Sequence, residues 1–292
     1  MSFLYPTKPN RGILGTGERG SKQGEFFHPS SVCYDKWNHC TLVCELGNNR
    51  IQCFDSNTLQ FHSFIGTRGV SFGCFCFPMG LCIQPFTHNL LVCDSGNQRV
   101  QVFTSDTDTF SFLYQIGYRS SSNGDEIKQF DSPRGICCDE KGHIIISEPS
   151  NHAIYELNEY GRLLHVFGSK GSLINQFNFP QEVCYDENHH QLLVADYNNQ
   201  RVSIWSHDSS SKFQCISHIQ LNDNCFSICI DPLRNHQILI GTNHNVLVYD
   251  PRNITEPVQT LGEFNMVSSL CINKHDGTLI VAEFLNHQIQ LF

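Results

Sequence analysis

The 292-residue chain carries 19 Lys+Arg against 28 Asp+Glu, a formal net charge of −9, with 40% apolar and 16% charged residues. This composition belongs to a globular protein with enough chain for a real core, and it excludes disordered and fibrous classes. No apolar run nears the roughly 18 residues of a spanning helix, the opening MSFLYPTKPNRG has no apolar signal core, and the acidic balance argues against a general nucleic-acid or membrane-surface binder.

From the N-terminus, a lone apolar stretch at Ile13 and Leu14 leads to Gly15, and glycines ending ILG, FIG, QIG and VFG follow at Gly15, Gly66, Gly117 and Gly168, each 51 residues after the last. The next, TLG at Gly262, comes 94 residues later, or two units of 47. After each of the first four glycines a turn-rich segment closes on FFHP, FCFP, FDSP or FNFP, at Pro29, Pro78, Pro133 and Pro180. First strands then read SVCYD, GLCIQ, GICCD, EVCYD, SICID and SLCIN. Second strands read TLVCE, LLVCD, IIISE, LLVAD, ILIGT and LIVAE, and third strands RIQCF, RVQVF, AIYEL, RVSIW, NVLVY and QIQLF. A more polar fourth strand leads to the next glycine. Short β-branched and aromatic runs bounded by Gly, Asn, Asp and Pro predict strands, and no amphipathic helix is evident.

Four short strands per unit predict an all-β fold, a six-bladed β-propeller of four-stranded antiparallel blades. The chain reads as a single domain over 1–292, with units at about 15–65, 66–116, 117–167, 168–219, 220–261 and 262–292 plus 1–14. The last unit stops at its third strand at Phe292, so the N-terminal segment supplies the missing fourth strand and removes an open edge.

The run FPQEVCYDENHHQLLVADYNNQRVSIW (179–205) resembles an NHL repeat, with a Pro-led first strand and then a VAD-x-x-N-x-R-V stretch. Units one, two and four keep acid-x-x-Asn-x-Arg as Glu45, Asn48, Arg50; Asp94, Asn97, Arg99; and Asp196, Asn199, Arg201. Unit three has Ala153 in place of the arginine, unit six has Gln288, and unit five has lost the pattern. The resemblance implies an NHL-type propeller, a family that includes protein-binding modules, RNA-binding modules and a few enzymes. Recurrence of the motif in several blades favours a structural turn, where carboxylate and guanidinium pair across the hairpin.

Fifteen cysteines in a long chain without a signal core read as reduced thiols. Cys33, Cys82, Cys137, Cys184, Cys229 and Cys271 share one first-strand position, which the family resemblance puts along a central channel. With no Cys-x-x-Cys spacing, packing is the expected role. His152, His244 and His287 share the motif position held elsewhere by Asn49, Gln98 and Gln200. Some related propeller lyases hold a metal on channel histidines, so this trio is the candidate ligand set, set against drift of turn residues to His. No cofactor is expected.

The loops leading into the blades and the second-to-third strand turns should share one rim of mixed charge. Phe72, Tyr197 and Phe284 are its candidate aromatics, with Arg68 and Arg134 as polar anchors. The sequence therefore predicts a non-enzymatic, cytoplasmic interaction module that binds a protein partner on this face, as the substrate-recruiting part of a ubiquitin-ligase-like system. Single-stranded RNA binding on the same face is the first alternative, and a metal-dependent lyase or hydrolase at the channel mouth the second. No membrane contact and no small-molecule substrate are expected.

Overall fold

Six antiparallel sheets of four strands follow one another along the chain in a meander. The computed structural model describes residues 4–105, 109–117, 130–207 and 212–292. Blade one comprises Pro29–Asp35, Cys40–Glu45, Arg50–Asp55 and Phe61–Ile65. Blade three comprises Ile136–Cys138, Ile144–Glu148, Ala153–Leu157 and Leu163–Phe167, and blade four Pro180–Asp186, Gln191–Asp196, Arg201–His207 and Phe213–Gln220. Among the described residues helical structure is confined to three short 3₁₀ turns, and no helix is long and apolar enough to cross a membrane.

The burial pattern follows from position in the blade. Second strands such as Leu90–Asp94 and Ile144–Glu148 are buried along their whole length, because neighbouring blades cover both faces. Fourth strands such as Leu163–Phe167 alternate, with one face on the seam and one in water. The apolar core is therefore a set of seams. In one of them Leu42, Cys44 and Ile51 of blade one meet Phe75, Leu90 and Val92 of blade two.

The glycine period has a steric cause. Gly66 and Gly168 adopt φ of +72° and +92°, and a Cβ on either would lie 2.2 or 2.3 Å from the ring of Phe75 or Phe177. These are the phenylalanines of the Phe-x-x-Pro segments, and both rings are fully buried. The backbone turns outward where only glycine is comfortable, and the ring fills the vacated space.

The expected ring closure is present. Blade six is built from Val267–Ile272, Leu279–Glu283 and Gln288–Leu291, and its fourth strand is Gly12–Leu14, with Gly12 opposite Leu291 and Leu14 opposite Ile289. Upstream, Tyr5 is buried in the seam of blades five and six. Its hydroxyl donates to Asp231, its backbone bonds Gln259, and Arg234 lies 4.2 Å over its ring.

Candidate functional site

The repeated acid-x-x-Asn-x-Arg residues hold loops as well as turns. Arg50, Arg99 and Arg201 pair with Glu45, Asp94 and Asp196 at 2.6, 2.8 and 2.8 Å. Their remaining guanidinium hydrogens reach carbonyls some 25–29 residues upstream in the lead-in loop, as when Arg201 donates to Ser172, Leu173 and Gln176. Asn48, Asn97 and Asn199 donate to Gly20, Gly69 and Gly171 in the same loops.

In blade three, with Ala153, no described residue supplies such a cation to the acid. Glu148 accepts the amides of Asp131 and Ser132 on one oxygen, while the other, buried, has no hydrogen bond. Burial pushes its carboxyl from 4.5 up to about 7. A folded value above the ordinary one means that Glu148's contribution to stability is fully present below about 4.5 and is lost as pH rises through 7. We expect E148Q to be more stable than the parent at pH 8 by about 1–3 kcal/mol, with the gap closing towards pH 4, in urea melts. A loss of stability at pH 8 would show that the charge is needed.

Among the described residues, none of the three candidate metal histidines belongs to a cluster of ligand groups. His152 and His287 adopt left-handed backbone, and each accepts, on Nδ1, the amide of Phe179 or His28 in the next blade, at 3.0 and 3.1 Å. Asn49 does the same for Phe77 through its side-chain oxygen. The position is thus a blade-to-blade staple that both Asn and His can make. His244 lies in the blade-five turn, where its amide donates to Thr242 and its carbonyl accepts from Phe264.

The five candidate face residues separate. Phe72 is exposed and stacks on Phe112, while Phe284 stacks on His28. The backbone of Arg68 bridges Phe75 inside its loop. Tyr197 packs on Phe226, whose ring belongs to the channel neck together with Arg134. Arg134 is thus a channel residue.

That neck is ringed by one residue from each blade: Ser30, Met79, Arg134, Gln181, Phe226 and Ser268. The next position along the first strands holds Ser31, Gly80, Gly135, Glu182, Ser227 and Ser269, so a single carboxylate stands among serines and glycines. Burial raises Glu182 from 4.5 to about 8, against the Val183 amide and the charge of Arg134, which hold it down. Burial lowers Arg134 to about 10, with the charge of Glu182 opposing. Below lies a cavity of about 310 Å³ lined by Cys33, Cys137, Cys184, Cys229 and Cys271, opening past Lys36, Trp37 and Lys274. Cys82, the sixth of the set, donates a thiol hydrogen bond to Cys138 Sγ instead. Burial raises these channel thiols, Cys184 to about 12 and Cys271 to about 11, so they stay protonated and make poor metal ligands. One carboxylate among thiols does not fit a metal at the neck.

A second cluster lies at the seam of blades three and four, and none of its residues lines the channel cavity. Asp139 follows the first strand directly, His143 lies in the turn after it, and Glu156 lies on the third strand, with ligand atoms all within 4.8 Å of one another. His165 of blade three and His207 of blade four also face Glu156. The sequence reading missed both Glu156 and Glu182. Each is a lone acid at a position that is small or apolar in the other blades.

A closed ring of six blades carrying these clasped turns is an NHL-repeat β-propeller, and residues 177–205 match the NHL repeat family model. No curated protein matches the chain by sequence. Among solved structures, a presumed gluconolactonase aligns with a TM-score of 0.71 at 14% identity, covering 97% of this chain and 93% of its own. A gluconolactonase from Xanthomonas campestris, XC5397, aligns with a TM-score of 0.68 at 10% identity, covering 98% of this chain and 92% of its own. Identities this low carry the fold. The non-enzymatic, protein-binding reading drawn from sequence gives way here: the solved propellers that this chain resembles in fold are gluconolactonases, and the described residues hold an Asp–His–Glu group.

Proposed function

We propose that the chain is a hydrolase of small cyclic esters, acting inside the channel with Glu182 as its acid–base group. The observation that carries this reading is Glu182 itself, a carboxyl raised to about 8 in a ring of serines and glycines, beside the Arg134 guanidinium. The resemblance in fold to gluconolactonases supports a lactone as the substrate class. A cavity of about 310 Å³ is at the small end of the usual range for ligand sites and suits a monosaccharide-sized ring.

In its ionised form Glu182 takes a proton from water as the oxygen adds to the lactone carbonyl. Arg134 offsets the charge that develops on the carbonyl oxygen. The ring C–O bond then breaks, and the Glu182 carboxyl returns its proton to the departing oxygen, which leaves an open hydroxy acid. A group that titrates close to the working pH serves both halves of this cycle.

With gluconolactone as substrate, kcat/KM should rise with pH and level off above about 8, and E182Q should lower it by about 10²–10³-fold. Ring opening no faster than the uncatalysed rate, or an undiminished rate in E182Q, would sink the reading.

A further inference from the structure

Alignment of the six third strands isolates one chemical anomaly. Cys53, Val102, Ile204, Val248 and Leu291 occupy one inward slot, and blade three puts Glu156 there, 2% exposed. A carboxylate in an apolar slot is strongly unfavourable unless it has been given partners. Its partners come from several elements: His143 Nδ1 at 3.4 Å, His165 Nδ1 at 2.9 Å and, from blade four, His207 Nε2 at 3.8 Å. Asp139, also 2% exposed, brings its Oδ2 to 3.1 Å from the same His143 Nδ1.

The oxygens divide their tasks. Asp139 Oδ1 accepts the amides of Lys141 and His143, a turn-capping role that Asp35, Asp186 and Asp231 repeat in other blades. Its Oδ2 faces inward. Glu156 Oε2 is engaged by His165, which leaves Oε1 facing His143 and His207. His143 Nδ1 is buried and makes no hydrogen bond, although two carboxylate oxygens lie close to it. These three atoms lie within 4.8 Å of one another. Separations of 3.1 and 3.4 Å are those of edges of a coordination tetrahedron, whose edge is about 3.4 Å for metal–N/O bonds of about 2.1 Å.

We propose that Asp139, His143 and Glu156 bind a divalent ion of the zinc class, at the seam where His207 of blade four approaches Glu156. Mixed imidazole and carboxylate donors select such ions over calcium or magnesium. His165 holds the Glu156 carboxylate in position from outside the coordination shell. The site is independent of the channel chemistry proposed above.

The test uses chelator-treated whole chain titrated with Co²⁺, because cobalt's visible spectrum separates nitrogen and oxygen ligation from thiolate ligation in a protein with 15 free cysteines. The expected result is uptake of one equivalent, without a thiolate charge-transfer band and with a rise in melting temperature. E156L inserts the leucine that blade six carries at this position and should fold while losing uptake, and H143A should lose it too. H165A should weaken binding by about 10–100-fold. Absence of stoichiometric uptake, a thiolate band, or uptake unchanged in both E156L and H143A would overturn the proposal.

Discussion

Arg201→Ala should destabilise the ring by about 3–5 kcal/mol in urea or thermal melts. Arg201 and Asp196 are 6% and 0% exposed, and the pair meets at 2.8 Å. Removing the guanidinium strands a buried carboxylate, which costs far more than the pair contributes when intact. It also withdraws the donors that hold the carbonyls of Ser172, Leu173 and Gln176, so the loop leading into blade four loosens along with its turn. The double variant D196A/R201A should recover part of the loss, because no charge is then left unpaired. A cost for R201A below about 1 kcal/mol would mean that water reaches Asp196 freely.

Tyr5→Ala should cost a similar amount, about 3–5 kcal/mol, and Tyr5→Phe about 1–2 kcal/mol. The ring is 3% exposed in the seam of blades five and six, so truncation leaves a void as well as losing the buried area. Asp231 keeps its 2.8 Å pair with Arg234 in either variant, which limits the cost of losing the hydroxyl. Hydrogen exchange locates the effect: protection should fall first at Gly12–Leu14 and Gln288–Leu291. Unchanged protection there would show that the segment before Gly12 plays no part in closing the ring.

The architecture was legible because a repeat reports the same steric demand many times. The 51-residue glycine spacing marks a Gly–Phe contact that each of the first four units must make again, and the missing last strand pointed to the N-terminus as its substitute. The longer reach of the motif was hidden: nothing local says that Asn48 or Arg201 holds carbonyls more than twenty residues upstream. The candidate sites were hidden for the opposite reason. Attention to what recurs passes over Glu156 and Glu182, which matter because they break the pattern that Cys53 and Val102, or Ser31 and Gly80, keep. Histidines conspicuous in sequence, His152 and His287, make backbone contacts, whereas those at Glu156 come from a first-to-second strand turn, a fourth strand and another blade.

The closing strand pair also sets how the ring answers to force. Gly12 faces Leu291, so the chain enters and leaves the sheet at the same end of one antiparallel ladder. Tension between the two ends therefore loads that ladder one hydrogen bond at a time, as in peeling, and never shares the load across it. Every other adjoining pair of strands in a blade is joined by a hairpin that no such pull can part first. Under load the ring has a built-in point of opening: once Tyr5 is drawn from its seam, blade six peels apart while the five blades before it remain intact.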